Sequence, residues 1–183
     1  MLSRRAFVAF GAAIGFVSSA RADLYDDYIN SRSKRPFASF LARASDGSLG
    51  KPGHSYVAIG VELDNAFRVY ERILGYYPKN SDTFEQVKAA FSRVTGDIRM
   101  ELADVAWQVE YRVPLNEEKH KAALRVADTW MKNDPKYNLF ANGGKNCSAF
   151  AAEVAQSIGL KVPSGAGSKF PMAFMTELRD LNK

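Results

Sequence analysis

The chain contains one cysteine and two histidines among its 183 residues. A single thiol cannot form a disulfide within the chain. Three such side chains are also too few for the usual structural metal sites, which gather several Cys and His ligands at short spacings. Cys147 is therefore expected to be either an inert buried side chain or a nucleophile, and neither a metal nor an organic cofactor is expected.

The sequence also lacks an apolar run long enough to span a membrane comfortably. Its most apolar stretch, Ala6 to Val17, follows two arginines and precedes the small residues around Ala20. This order is typical of an export signal, and we predict one over residues 1–22. Ser3-Arg4-Arg5-Ala6-Phe7 resembles the bacterial twin-arginine signal, whereas an ordinary secretory signal that contains Arg-Arg is the alternative. Either route predicts a periplasmic or secreted protein.

A strong excess of charge is missing once this signal is set aside. Without Arg4, Arg5 and Arg21 the formal net charge falls from +5 to +2. A basic surface for nucleic acid is therefore not expected. Residues 23–183 have the length of a single domain, and we predict one domain that is a monomer without a membrane span.

The hydrophobic patterns predict an α+β domain. Residues 54–62 and 67–74 are rich in β-forming side chains, which predicts a hairpin, and alternation of apolar and polar residues predicts a third strand over 107–113. Apolar residues at helical spacing predict helices over 84–91 and 117–132. Residues 24–45 are expected to be helix or loop, because Phe37, Phe40 and Leu41 also follow helical spacing. Antiparallel strands with helices grouped before and after them define the α+β class.

Cys147 is predicted to open a helix. Asn146 is a favourable N-cap, Gly159 suits the position after the last turn, and Pro163 blocks any continuation. The first turn of a helix offers unpaired N–H groups and the positive end of the helix dipole, which favour a thiolate. The position of Cys147 therefore favours a nucleophile.

His54 is the preferred base for this nucleophile. It follows Pro52-Gly53 at the head of the first predicted strand. A thiol nucleophile needs a nearby imidazole that accepts its proton and later returns one to the leaving group. The other histidine, His120, lies in a charge-rich helix start and is expected to be solvated.

These residues carry a resemblance to a known family. The motifs are Gly53-His54-Ser55-Tyr56-Val57, Gly75-Tyr76-Tyr77-Pro78, Tyr137-Asn138-Leu139, Asn146-Cys147-Ser148-Ala149-Phe150 and Gly159-Leu160. Together, over about residues 53–163, they resemble the circularly permuted branch of the NlpC-type, papain-like cysteine hydrolases. In that branch the histidine strand precedes the cysteine helix. The resemblance implies an antiparallel sheet with packed helices and a thiol mechanism.

The resemblance also implies a third polar residue that orients the imidazole from the strand beside the histidine strand. Glu71 is the first choice, since its carboxylate would accept a hydrogen bond from the ring. Gln108 and Glu110 on the third strand are substitutes. The non-catalytic alternative for Glu71 is an exposed ion pair with Arg72 or Arg68.

The expected function is that of an exported thiol hydrolase that cleaves an amide in peptidoglycan peptides. Cys147 attacks the carbonyl carbon, His54 acts as base and then as acid, and the Cys147 N–H is one oxyanion donor. This mechanism predicts a distance of roughly 3–4.5 Å between the sulfur and a His54 ring nitrogen. Family members that act on lipids, such as lecithin:retinol acyltransferase, make an acyl hydrolase or transferase the first alternative. A binding module of the cell envelope with an ordinary thiol pKa is the second.

Overall fold

The computed structural model of the protein describes residues 26–27, 29–45, 53–80, 83–101, 106–133, 135–140 and 145–183. Within these ranges six strands form one antiparallel sheet, accompanied by four helices, and the predicted α+β class is confirmed. The strands are β1 (Lys34–Arg43), β2 (His54–Leu63), β3 (Arg68–Pro78), β4 (Val94–Met100), β5 (Val109–Pro114) and β6 (Lys136–Tyr137). The helices are α1 (Thr83–Phe91), α2 (Glu117–Asn133), α3 (Cys147–Ser157) and α4 (Pro171–Asp180). The predicted signal over residues 1–22 lies outside the described residues.

The strand order of the sheet is β5-β1-β2-β3-β4-β6. On β2, Ser55 lies opposite Ala42 of β1, and Tyr56 lies opposite Gly75 of β3. Successive side chains of a strand point to opposite faces of a sheet. Ser55 and the alternate residues after it therefore share one face, while His54 and Tyr56 share the other.

The face that carries Ser55, here called the helix face, packs against α2, α3 and α4 and forms the main core. Three aromatic rings from different elements meet in it. The Trp130 ring lies 4.8 Å from that of Tyr76 and 5.2 Å from that of Phe150, measured between centroids. These edge-to-face contacts fix α2 and α3 on the sheet.

The opposite face of the sheet, here called the aromatic face, carries a second and smaller core. Its buried members are Leu41, Tyr56, Ala58 and Ile73, and three partly buried aromatic residues pack against them: Tyr70, Tyr77 and Trp107. Both faces of the central strands are therefore covered.

This double burial explains why the expectation for residues 24–45 is wrong over β1. Ala38, Phe40 and Ala42 are buried on the helix face, and Phe37 and Leu41 are buried on the aromatic face. A strand that is buried on both faces loses the alternation of apolar and polar residues. The spacing of Phe37, Phe40 and Leu41 therefore matched a helix by coincidence, although these residues belong to a strand.

The helix predicted over 84–91 is confirmed as α1, but the apolar stripe that indicated it is exposed, and Ala89 is the buried residue. The sequence also predicts a capping box of Asp82 and Glu85 at the start of this helix, but Asp82 and the Glu85 side chain lie outside the described residues. Helix α2 begins after Asn116, whose side chain accepts the Lys119 N–H at 2.9 Å. In the described ranges no helix is long and apolar enough to span a membrane.

Candidate functional site

Cys147 is the first residue of α3, as its sequence signals predict. The Asn146 side-chain oxygen accepts the Ala149 N–H at 3.0 Å, which confirms the predicted N-cap. The amide nitrogen of Asn146 donates to the carbonyl oxygens of Leu139 at 2.8 Å and Gly167 at 2.6 Å. One buried side chain therefore fixes both the helix start and the two segments beside it.

The Cys147 thiol lies against the head of β2 on the helix face. It is 4% exposed and forms hydrogen bonds with the backbone and hydroxyl groups of Ser55 and Ser148. The two serine hydroxyls are themselves 3.2 Å apart. Burial raises the pKa of the Cys147 thiol, and these hydrogen bonds only partly offset that effect. The expected preference for a thiolate is therefore not met, because burial outweighs the stabilisation of the charged form.

The His54 ring lies on the aromatic face. It stacks on the Tyr77 ring at 4.0 Å between centroids and 14° between planes, and it meets the Tyr56 ring edge-on at 4.6 Å. Cys147 instead contacts Ser55, the next residue along β2. Neighbouring residues of a strand point to opposite faces, so the structure does not bring the imidazole and the sulfur together as the predicted dyad requires.

The buried imidazole has an unused nitrogen. His54 is 4% exposed, and within the described part of the chain its Nε2 atom has no hydrogen-bond partner. A Cβ atom at Gly75 would lie 2.6 Å from this nitrogen, so the glycine provides the space that the ring fills. Burial, together with the nearby Arg43 charge, lowers the pKa of His54 to about 3. The ring is thus neutral at neutral pH.

Polar contacts surround this ring. Arg43 Nε donates to the Tyr56 hydroxyl oxygen at 2.7 Å, and the Tyr77 hydroxyl donates to Glu101 Oε1 at 2.5 Å. The Arg99 guanidinium lies 5.3 Å from the centroid of the Tyr77 ring. The sequence predicted none of these partners for His54, because the second predicted strand ended at residue 74, whereas β3 continues to Pro78 and includes Tyr77.

Glu71 does not orient His54. Its Oε2 atom lies 3.1 Å from Nε2 of His120, and the His120 side chain is 14% exposed. Glu71 is four residues from Gly75 on β3, a separation of about 13 Å along a strand. The prediction of a solvated His120 is also wrong, because the ring packs between α2 and β3, where it meets the Glu71 carboxylate.

The two substitutes for Glu71 also have other partners. Gln108 Oε1 accepts the Ala44 N–H at 2.9 Å. Glu110 Oε1 accepts from the Ser39 hydroxyl at 2.9 Å and pairs with Arg112 at 3.2 Å. In the described ranges no cluster of three or more His, Cys, Asp or Glu side chains is arranged to hold a metal ion.

Comparison of the chain with protein-family models, with curated proteins and with solved structures gives no match. The resemblance to the permuted papain-like hydrolases therefore rests on the motifs of this sequence and stays a prediction.

The lowered pKa of His54 predicts an acid-sensitive fold. In the unfolded chain an ordinary imidazole gains its proton near pH 6.5, whereas the folded ring gains it only at about pH 3. The unfolded state therefore binds more protons between these values. As the pH is lowered through this window, the free energy of unfolding should decrease by up to about 1.4 kcal/mol per pH unit. Urea denaturation of the wild type and His54→Gln across this window measures the contribution. An unchanged slope in His54→Gln would contradict the prediction.

Proposed function

We propose that the protein is an exported thiol hydrolase that cleaves an amide bond, with peptidoglycan peptides as its substrates. The observation that carries the proposal is that a thiol and an imidazole both lie at the head of β2. The Cys147 sulfur contacts Ser55, and the residue before Ser55 is His54, a buried neutral imidazole with an unused nitrogen. A nucleophile at the start of α3 and a base at the first residue of β2 therefore lie on either side of the same short stretch of strand.

The chemistry follows from these two groups. The sulfur bonds to the substrate carbonyl carbon while the thiol proton passes to the imidazole. The imidazole then protonates the leaving amine as the carbon–nitrogen bond breaks, which leaves a thioester that water hydrolyses. The Cys147 N–H, at the start of α3, donates one hydrogen bond to the developing oxyanion. No metal or organic cofactor enters these steps.

The proposal requires a local movement. The His54 ring has to turn from the aromatic face toward the sulfur, and His54 is the first residue of β2, where the strand constrains it least. In the resting structure the pKa directions oppose this proton transfer, because burial makes the imidazole a weaker base and the thiol a weaker acid. A thiol with a raised pKa and an imidazole with a lowered pKa both start neutral, so the proton moves during the attack and not before it.

Two specific observations favour other functions. The burial of Cys147 and the position of the His54 ring on the opposite face favour a binding module that keeps the fold without catalysis. The exposed Phe140, whose neighbour Leu139 accepts a hydrogen bond from Asn146 at the start of α3, favours a lipid or ester substrate for the same thiol. Hydrolysis rates on muropeptides and on acyl-ester probes separate the two catalytic alternatives.

The proposed location depends on residues 1–22 of the sequence, whose pattern is that of an export signal. We propose that the domain acts as a monomer in the periplasm or outside the cell. Fractionation of cells that express the full chain tests this, and recovery only from the cytoplasm would contradict it.

Alkylation of the single cysteine tests the thiol mechanism. Because burial raises the pKa of Cys147, we expect the rate of reaction with iodoacetamide to rise steeply with pH above neutrality. Mass spectrometry should show one added group per chain. After return to neutral pH, the alkylated protein should no longer hydrolyse muropeptides, while mock-treated protein should. Equal hydrolysis by both samples would exclude Cys147 as the nucleophile.

A further inference from the structure

Three apolar side chains of α1 face solvent. Phe84, Val87 and Phe91 follow one another at helical spacing and are 74%, 37% and 87% exposed. Phe140 adds a fourth side chain that is 52% exposed. It lies beside α1, because the N–H of its neighbour Leu139 donates to a carbonyl oxygen of that helix at 2.9 Å. We call Phe84, Val87, Phe91 and Phe140 the apolar edge.

The area and shape of the apolar edge decide which partner it fits. A phenylalanine side chain buries about 150–250 Å², so the exposed parts of these four residues amount to roughly 500 Å². A stable protein interface buries about 800 Å² on each partner. Phe84 and Phe91 also project from the surface and form no flat packed patch, as their high exposure requires. Projecting aromatic side chains suit a fluid acceptor such as a lipid bilayer better than a rigid protein surface.

Basic residues lie at the end of α1 that carries Phe91. Arg93 follows Phe91 by two residues and is exposed. Lys79 donates its N–H to the Thr95 carbonyl oxygen at 2.8 Å, and Lys136 Nζ donates to the Thr95 hydroxyl at 3.4 Å. Both of these lysines are exposed as well. Such cations complement the phosphate groups of anionic lipids.

We propose that the apolar edge docks on the surface of an anionic lipid bilayer. Phe84 and Phe91 enter the headgroup region, while Arg93 and the two lysines contact lipid phosphates. The proposal is independent of any hydrolysis by Cys147. It places the start of α3 close to the membrane, because the Asn146 amide donates to the carbonyl oxygen of Leu139, the residue before Phe140.

Vesicle binding by the full chain tests the proposal. We expect co-sedimentation with phosphatidylcholine vesicles that contain phosphatidylglycerol, and at least about tenfold weaker binding to phosphatidylcholine alone or at high salt. Phe84→Ser combined with Phe91→Ser should weaken the binding about tenfold or more. Both side chains are exposed, so the variant should keep the wild-type melting temperature. The matched control is Phe170→Ser, which changes a phenylalanine that is 76% exposed outside the apolar edge, and it should bind as the wild type does.

A depth measurement separates the apolar edge from the signal at residues 1–22, which is present in every variant and itself favours lipid. Phe91→Trp should add fluorescence that brominated lipids quench. The fluorescence that Phe170→Trp adds should not be quenched by these lipids. The proposal is overturned if the double serine variant binds vesicles as the wild type does and brominated lipids do not quench the fluorescence that Phe91→Trp adds. The proposal is also overturned if the wild type does not bind vesicles but self-associates, and the double serine variant does not self-associate. That result would assign the apolar edge to a second copy of the chain.

Discussion

Cys147→Ser should lose hydrolysis by a factor on the order of 10⁴ or more while the protein melts normally. The exchange replaces one atom and keeps the volume nearly constant, so the free energy of unfolding should change by no more than about 1–2 kcal/mol. The serine hydroxyl still fits among the hydroxyls of Ser55 and Ser148. The measurement is the release of peptides from purified peptidoglycan, followed by chromatography, beside a thermal melt of each variant.

Histidine variants complete this experiment. His54→Ala should match the kinetic loss of Cys147→Ser, and the double variant should be little worse than either single one, because a nucleophile and its base act as a unit. His120→Ala should keep wild-type kinetics, since its ring pairs with Glu71 away from the thiol. Wild-type protein that shows no hydrolysis sensitive to Cys147→Ser would leave the binding module as the function.

The placement of Cys147 was predictable because local chemistry determines it. An N-cap needs a side chain that accepts a backbone N–H, and a helix that ends in the left-handed conformation needs a residue such as Gly159, whose φ angle is +83°. Both requirements act within a few residues, so they appear directly in the sequence. The start of α2 was predictable on the same basis, because the Asn116 side chain accepts the Lys119 N–H.

The sequence did not predict which residues of β2 point to which face of the sheet, because a shift of the strand by one residue changes every assignment. A shift by one position exchanges the two faces of a strand. His54 and Ser55 are both polar, and both are buried beneath other elements, so neither marks the solvent side. The sequence therefore placed His54 at the head of a strand near the thiol and gave no information on which residue faces it.

The partner of Glu71 was missed for a different physical reason. The hydrogen bond with His120 joins β3 to α2 across 49 residues of sequence. Its formation depends on how the helix packs on the edge of the sheet, and the charges around His120 indicated only a solvated helix start. Long-range packing of this kind leaves no local pattern.

Phe150→Ala should be among the most destabilising single changes in the domain. Phe150 is fully buried on α3, three residues after Cys147, and its ring packs against Trp130 of α2. Removing a buried aromatic ring costs about 3–5 kcal/mol. The protein loses the burial of the apolar ring, and the surrounding core fills the resulting cavity only in part. Urea denaturation at neutral pH measures the loss.

Phe170→Ala provides the matched control, because it removes the same ring from a position that is 76% exposed. Its effect should stay within about 0.5 kcal/mol. The contrast between the two phenylalanines tests the packing of α3 on the sheet, on which the position of the thiol depends. A loss below about 1 kcal/mol for Phe150→Ala would mean that α3 does not pack as described, since a buried ring cannot be removed at so small a cost. A loss of the expected size would take a large part of the 5–15 kcal/mol by which domains are typically stable, and would show that the packing of α3 holds Cys147 at the head of β2.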